Sequence, residues 1–223
     1  MQPHSDTLVR GRAPAVAANK LIRNTYWLLS LTLLFSAAMA GVAMVTGAPM
    51  LNIWIVLGGY FGLLFLTSAL RNSAWGLLAV FGLTGFMGYT LGPVLNAYIT
   101  QYSNGAQLVM YAMGATGIIF IGLSLYALRS GRDFSYLGGF LTAGILLGFI
   151  AALANIFLQM PVLALVVSSM FVLLMCGLIL WQTSAMVRGG ETNYIMATVT
   201  LYVALYNLFT SLLHLLGVFG GED

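Results

Sequence analysis

Charged side chains are nearly missing from this sequence. Of its 223 residues, eight are Lys or Arg and five are Asp or Glu, so that 6% are charged. Soluble domains usually carry about 25% charged residues. With 61% hydrophobic residues, this chain has too few charges to surround a globule with a polar shell. Composition therefore excludes an ordinary soluble domain and predicts one domain whose solvent is the lipid bilayer.

Reactive groups are scarce as well. The single cysteine, Cys176, has no partner for an internal disulfide and is expected to be a small packing residue. No HExxH motif, no phosphate-binding P-loop and, within the apolar runs, no GxSxG motif occurs. The sequence therefore predicts no enzyme, no catalytic, cofactor or metal site, no small-molecule substrate and, with so few scattered cations, no nucleic-acid partner.

Long apolar runs are what the sequence does contain. Seven runs lack Asp, Glu, Lys and Arg, and each is long enough to cross a hydrocarbon core of about 30 Å as a helix of about 20 residues. Continuous runs indicate helices, because barrel strands would alternate in polarity over about 10 residues. We predict an all-α membrane protein, a seven-transmembrane helix bundle over residues 25–219. Its spans are predicted at 26–46, 51–70, 74–99, 107–128, 136–158, 162–181 and 194–219.

Turn residues support these boundaries. Gly47 to Pro49 and Met160-Pro161 are predicted to form tight turns, with proline preceding or starting the next helix. Thr192 or Asn193 is expected to cap the last helix, with Glu191 near its positive end.

The basic residues alternate with the spans in a way that predicts orientation. They precede span one or lie in the loops that follow spans two, four and six, and the other three loops hold none. The positive-inside rule then places the N-terminus in the cytoplasm and the end at 220–223 in the periplasm. The residues are Arg10, Arg12, Lys20, Arg23, Arg71, Arg129, Arg132 and Arg188.

A cleaved signal peptide is an alternative for the first span. The tripeptide Ala38-Met39-Ala40 resembles a signal-peptidase site after an apolar stretch. The basic region before it is long for a bacterial signal, and the apolar run continues past Ala40. We therefore expect the first span to be retained.

Glycines recur at short spacings within the spans. Small residues at such spacings let helices approach closely in lipid, so we expect them to lie at helix interfaces. Pro93 lies inside the third span and is expected to kink it by freeing the carbonyl of Tyr89. The clustered glycines are Gly58, Gly59 and Gly62; Gly85, Gly88 and Gly92; Gly114 and Gly117; and Gly144 and Gly148.

Polar side chains inside spans are costly and are candidates for function. The last span holds most of them, so it is predicted to be the central helix, shielded from lipid by its neighbours. His214 is expected to be a hydrogen-bonded interior residue, and no serine partner for it is evident in the sequence. The candidate interior polar cluster is Asn96, Asn155, Gln182, Thr200, Asn207, Ser211 and His214.

Several segments carry a family likeness. The sequence resembles the Bax inhibitor / YccA family over residues 21–217, most specifically in residues 21–26, 84–96, 154–159, 189–195 and 201–207. The resemblance implies a multi-pass protein of the bacterial inner membrane, with a last helix surrounded by the other six. It also implies association with the membrane protease FtsH and its HflK/HflC partners, restraining proteolysis of membrane proteins.

Other branches of that family are similar to calcium-leak channels gated by paired aspartates on the last two helices. Here the matching positions hold Gln182 before Thr183 on the sixth helix, and Thr200 and Ala204 on the seventh. Neutral side chains cannot share a proton or hold a divalent cation strongly. A calcium or proton leak channel is therefore the alternative function, disfavoured by the missing acidic pair.

The polar segment before span one is the candidate partner-engaging region. Residues 1–24 contain Pro3, Gly11 and Pro14 and few residues that could form a core, so a flexible cytosolic tail is predicted. An ATP-driven membrane protease can grip such a tail, with Arg10, Arg12, Lys20 and Arg23 as candidate contacts. The alternative is a basic end that touches anionic lipid.

Overall fold

Seven helices long and apolar enough to span a membrane make up the fold, and the described part of the chain contains no strand. The computed structural model describes the backbone of residues 5–222 and the side chains of residues 18–222. The predicted all-α bundle is confirmed. The helices are α1 (Ser5–Val45), α2 (Ile53–Leu70), α3 (Trp75–Gln101), α4 (Gly105–Ser130), α5 (Leu137–Leu158), α6 (Pro161–Arg188) and α7 (Tyr194–Gly220).

Most predicted boundaries agree with the structure to within two residues, and two do not. Helix α6 continues from the predicted end at 181 to Arg188, because the polar residues that end the apolar run stay helical and face inward. Helix α1 begins at Ser5, well before the predicted start at 26. The predicted tail 1–24 is thus helical from Ser5, residues 1–4 lie outside the described residues, and the flexibility of the tail remains a prediction.

The caps around α6 and α7 form as expected. Pro161 occupies the first turn of α6, where its missing N–H costs nothing. The Asn193 side chain accepts the N–H groups of Ile195 and Met196, and the Glu191 carboxylate accepts the N–H of Asn193 at 2.7 Å. These contacts satisfy donors that the helix itself leaves unpaired.

Helix α7 is the central helix of the bundle. Its residues Leu201, Ala204 and Leu208 are completely buried, and it packs against α1, α3, α4 and α6. Helix α2 packs chiefly against α3, and α5 chiefly against α6. The central position is confirmed: α1, α3, α4 and α6 are its principal neighbours, and side chains of α2 and α5 pack in the same core clusters as α7.

Glycines on α3 allow a close contact with α1. A Cβ atom added to Gly88 would collide with the carbonyl oxygen of Ser36 on α1. A Cβ on Gly92 would lie 2.6 Å from the Ala40 carbonyl oxygen, and one on Gly85 would lie 2.6 Å from the ring of Phe35. These three glycines therefore let the α1 and α3 backbones touch, as their spacing predicted.

The other glycine clusters divide into packed and open ones. Gly144 and Gly148 meet side chains of α6, and Gly59 meets the ring of Phe86. No atom lies within 4 Å of a Cβ placed on the remaining four, for which the packing prediction is wrong: Gly58, Gly62, Gly114 and Gly117. Spacing alone does not say whether a small-residue stripe points toward a neighbouring helix or toward lipid.

Helix α3 continues through Pro93 to Gln101. The Thr90 hydroxyl donates to the Met87 carbonyl at 2.9 Å, and Asn96 is exposed. Neither of these nearby side chains donates to the Tyr89 carbonyl in the part of the chain that the structure describes. The kink itself remains a prediction.

One end of the bundle gathers the basic loops. Asn193 Nδ2 donates to the Arg71 carbonyl at 3.0 Å, and Arg188 donates to the Gly131 carbonyl at 2.7 Å. The three loops after α2, α4 and α6 therefore meet, and we call this end the basic face. Which aqueous phase it contacts remains the prediction of the positive-inside rule. Its described basic residues are Lys20, Arg23, Arg71, Arg129, Arg132 and Arg188.

At the opposite end, the last residues are fastened to the loop between α3 and α4. Asn104 Nδ2 donates to the Gly220 carbonyl at 2.7 Å, and Asn104 Oδ1 accepts the Glu222 N–H at 3.2 Å. The Ser103 N–H donates to the Glu222 carbonyl at 2.9 Å. This C-terminal clasp holds residues 220–222 against the bundle.

Asn104→Ala should release the clasp without unfolding the helices. Removing both side-chain hydrogen bonds should accelerate amide exchange at Glu222 and Ser103 by about fivefold, equivalent to about 1 kcal/mol. Hydrogen exchange followed by mass spectrometry measures this. Asn96→Ala is the matched control, because Asn96 is exposed on α3 and outside the clasp; equal exchange in the two variants would show that Asn104 holds nothing.

Candidate functional site

A groove opens on the side of the bundle between α2, α6 and α7. Its volume is about 340 Å³, and its lining includes Tyr60, Leu64, Ser68, Leu178, Thr200 and Val203. The Thr200 hydroxyl lies here but donates to its own helix, to the Met196 carbonyl at 3.0 Å. No charged side chain is among the lining residues.

The chemistry of this groove does not favour cation transport. A translocated cation needs carboxylates or many oxygen ligands in a low-dielectric interior. Within residues 18–222, no group of three His, Cys, Asp or Glu side chains could hold a metal ion. The neutral side chain of Thr200 uses its donor locally, so the groove supplies no strong site for a proton or Ca²⁺.

The seven polar residues predicted as an interior cluster do not form one. Asn96 is exposed, and Asn155 Oδ1 accepts the Met160 N–H at 3.0 Å at the end of α5. Asn207 Nδ2 donates to the Val203 carbonyl of its own helix at 2.8 Å. Gln182 and Ser211 are buried at different heights along the bundle. Asn155, Thr200 and Asn207 are instead satisfied by hydrogen bonds within or at the end of their own helices.

His214 has a partner that the sequence did not reveal. Its Nδ1 lies 2.7 Å from Ser168 Oγ, which joins α7 to α6. The two residues are 46 positions apart and share no motif, so only the packing of α6 on α7 brings them together.

A polar contact also fastens α1 to α7 and α3, and no sequence signal pointed to it. Tyr202 is 1% exposed, and its Oη lies 2.7 Å from Ser36 Oγ on α1. The Tyr202 hydroxyl donates to the Thr84 carbonyl of α3 at 3.2 Å, which leaves Ser36 as the donor to Tyr202. We call Ser36, Thr84 and Tyr202 the three-helix junction.

A second contact holds α1 near the basic face, at Thr25. The Thr198 hydroxyl of α7 donates to the Tyr194 carbonyl at 2.7 Å and lies 3.3 Å from the Thr25 carbonyl of α1. Thr25 and Thr198 are both completely buried. The part of α1 that follows the predicted tail is thus held by α3 and α7.

The basic face also carries an acidic side chain, Asp133. Asp133 lies 3.7 Å from the Arg188 guanidinium. The Ser135 N–H donates to the Asp133 carboxylate at 2.9 Å and lowers the pKa of that carboxyl below its usual value. Both side chains are exposed, so this pair orders a loop and offers no buried acid or base.

Comparison with known proteins assigns the fold. The family described as inhibitor of apoptosis-promoting Bax1 matches residues 18–221. The chain belongs to this Bax inhibitor family.

Three relatives are similar over nearly the whole length. The chain is 51% identical to an uncharacterized protein of Pseudomonas aeruginosa over 203 residues, which cover 91% of each chain. It is 46% identical over 212 residues, 95% of each chain, to Modulator of FtsH protease YccA of Escherichia coli K12. The same figures apply to Inner membrane protein YccA of Escherichia coli O6:H1.

These names and the seven spans agree on location and general class. This Bax inhibitor family member is a multi-pass protein of the bacterial inner membrane. The name of the K12 relative describes a regulator of a protease rather than an enzyme.

Proposed function

We propose that this protein binds the membrane protease FtsH and restrains its degradation of membrane proteins. The observation that carries the proposal is the 46% identity to Modulator of FtsH protease YccA over 95% of both chains. HflK and HflC, partners implied by the family resemblance, are proposed to belong to the same assembly.

The predicted tail, residues 1–24, is proposed as the part that FtsH grips. Lys20 and Arg23 are exposed on the described surface, while the side chains of Arg10 and Arg12 lie outside the described residues. A polar segment joined to the first span gives an ATP-driven unfoldase a handle at the cytoplasmic side. The predicted orientation of the basic face puts that handle within its reach.

The packing of α1 supplies a reason why pulling on this handle would be slow. A force on residues 1–24 acts first on the membrane-spanning part of α1, which packs on the glycines of α3 and on α7. Extracting α1 would break the three-helix junction. It would also expose the face of α3 that carries Gly85, Gly88 and Gly92. Degradation that depends on extraction would therefore stall, and the protein would occupy FtsH as a slowly processed competitor.

Deletion of residues 2–20 tests the proposal directly. FtsH, the protein and a second membrane substrate are reconstituted together in proteoliposomes, and degradation of both is followed with time. The full chain should slow turnover of the second substrate by about tenfold when it saturates the protease, and the deletion should remove this inhibition.

A length-matched control distinguishes grip on any polar tail from specific contacts with the basic residues of the tail. Replacing residues 2–20 by a Gly/Ser segment should retain inhibition if FtsH grips any polar tail. Replacing Arg10, Arg12, Lys20 and Arg23 by Ala within the native tail tests the alternative of basic contacts. If the deletion leaves turnover of both proteins unchanged, the tail has no part in the interaction and the proposal is wrong.

A further inference from the structure

Five buried side-chain atoms near the basic face have no hydrogen-bond partner in the described protein. They belong to three helices, α1, α4 and α6. Gln182 is 1% exposed, Thr183 is fully buried and Ser124 is 4% exposed. The atoms are Thr25 Oγ1, Tyr26 Oη, Ser124 Oγ, Gln182 Nε2 and Thr183 Oγ1.

The helices that carry these atoms pack on one another. The rings of Tyr26 on α1 and Phe120 on α4 are 5.9 Å apart, and Ser124 follows Phe120 by one turn. Met186, one turn after Gln182 on α6, belongs to the same buried cluster as Leu29 of α1, and Tyr26 packs against that cluster. The three helices therefore meet around these side chains.

The atoms also lie at similar depth. Tyr26 is three residues from Arg23, Ser124 five residues from Arg129 and Gln182 six residues from Arg188. At 1.5 Å per residue, these separations correspond to about 4.5, 7.5 and 9 Å along the helices from the three arginines. The set forms one layer just inside the basic face.

The buried polar atoms of this layer need hydrogen-bond partners that the described residues of the protein do not supply. Burying hydroxyl and amide groups without hydrogen bonds is costly, and native proteins avoid it unless water supplies the missing bonds. The layer offers hydroxyls and an amide but no carboxylate, so its chemistry suits a neutral hydrogen-bonding molecule and not a divalent cation. The basic face, where Arg23, Arg129 and Arg188 are exposed, lies within two helical turns of the layer.

We infer that Thr25, Tyr26, Ser124, Gln182 and Thr183 form a hydrated site that binds ordered water molecules inside the bundle. The site is separate from the groove between α2, α6 and α7, since it shares none of the lining residues. Water enters it from the basic face and joins α1, α4 and α6 through bridging hydrogen bonds. The inference does not depend on FtsH binding.

X-ray radiolysis of the full-length protein in phospholipid nanodiscs tests this site. Hydroxyl radicals formed from bound water oxidise the side chains beside it, and mass spectrometry measures the rate at each tyrosine. Tyr202 is the internal control, because it is buried and its hydroxyl is bonded to Ser36 and Thr84. Tyr26 should be oxidised at least about fivefold faster than Tyr202 if water occupies the site.

A variant then removes the site while the control stays in place. Gln182→Leu with Ser124→Ala should lower oxidation of Tyr26 to the rate at Tyr202, whose own rate should not change. A rise in oxidation at Tyr202 would reveal a disturbed fold, in which case the single Ser124→Ala variant is read instead. Equal rates at Tyr26 and Tyr202 in the native chain, or a Tyr26 rate unaffected by the variants, would overturn the inference.

The unfolding temperature of a Thr183→Val variant is a second test of whether water occupies the site. Thr183→Val keeps the shape of the side chain and removes its hydroxyl. If water bonds that hydroxyl, the variant should unfold at a lower temperature than the native protein. If the layer is dry, removing an unsatisfied polar atom should raise the unfolding temperature, and the hydrated site does not exist.

Discussion

Gly88→Ala should destabilise the bundle by about 1–3 kcal/mol, although alanine is the better helix former. The added methyl group would overlap the Ser36 carbonyl oxygen, which belongs to the α1 backbone and cannot rotate away. Helix α1 must therefore move off α3, and the three-helix junction stretches with it. Cys176, the single and half-buried thiol, lets a thiol-reactive dye report thermal unfolding in detergent.

Gly114→Ala is the matched control for this prediction. It makes the same chemical change in another transmembrane helix, but nothing lies within 4 Å of the new methyl group. The control should be neutral or gain up to about 1 kcal/mol from helix propensity. Equal unfolding temperatures in the two variants would show that α1 and α3 are not as close as described.

The same pair of variants connects stability to the proposed function. With the tail intact, Gly88→Ala should still engage FtsH but should be extracted and degraded faster, and so inhibit less. Gly114→Ala should inhibit like the native chain. If both variants lost inhibition, the packing of α1 against α3 would not be what makes the protein an inhibitor of FtsH.

Tyr202→Phe should cost about 1–3 kcal/mol, which is the second large effect expected. The phenylalanine ring fills the same space, so the cost comes from the hydroxyl alone. Ser36 Oγ loses its acceptor, and the Thr84 carbonyl loses a donor. Both groups lie in the buried interior of the bundle, where water cannot readily replace the lost bonds.

Tyr126→Phe provides the comparison, because Tyr126 is 44% exposed on α4 and keeps its ring contact with Phe134 after the change. It should alter the free energy of unfolding by less than about 0.5 kcal/mol. A double-mutant cycle with Ser36→Ala adds a sharper measurement. If Ser36 and Tyr202 bond as described, the double variant should lose less than the sum of the single losses; additive losses would contradict the bond.

Particular residues show how far sequence reasoning reached. The end of α6 was placed too early because Gln182, Thr183 and Ser184 interrupt the apolar pattern, although they face the protein interior and not lipid. Spacing identified glycines on α2, α3, α4 and α5 alike, but it could not say which stripes meet a backbone. Gly88 and Gly114 look equivalent in sequence and have opposite surroundings in the structure.

The candidate polar cluster failed for a related reason. Thr200 and Asn207 satisfy themselves on their own helix, whereas His214 binds Ser168 and Tyr202 binds Ser36, 166 positions away. A helical wheel shows which face a side chain occupies, and it does not show which residue of another helix stands opposite. The buried layer around Gln182 and Ser124 was missed for the same reason.

The sequence by itself determined that this protein is a bundle of seven membrane helices with its basic loops at one end. It could do so because the solvent preference of each residue and the thickness of the bilayer act on local segments of chain. Only the tertiary structure decided which glycines join α1 to α3, and which hydroxyls form the three-helix junction. Those contacts depend on the relative rotation and height of helices distant in sequence, which no local pattern encodes.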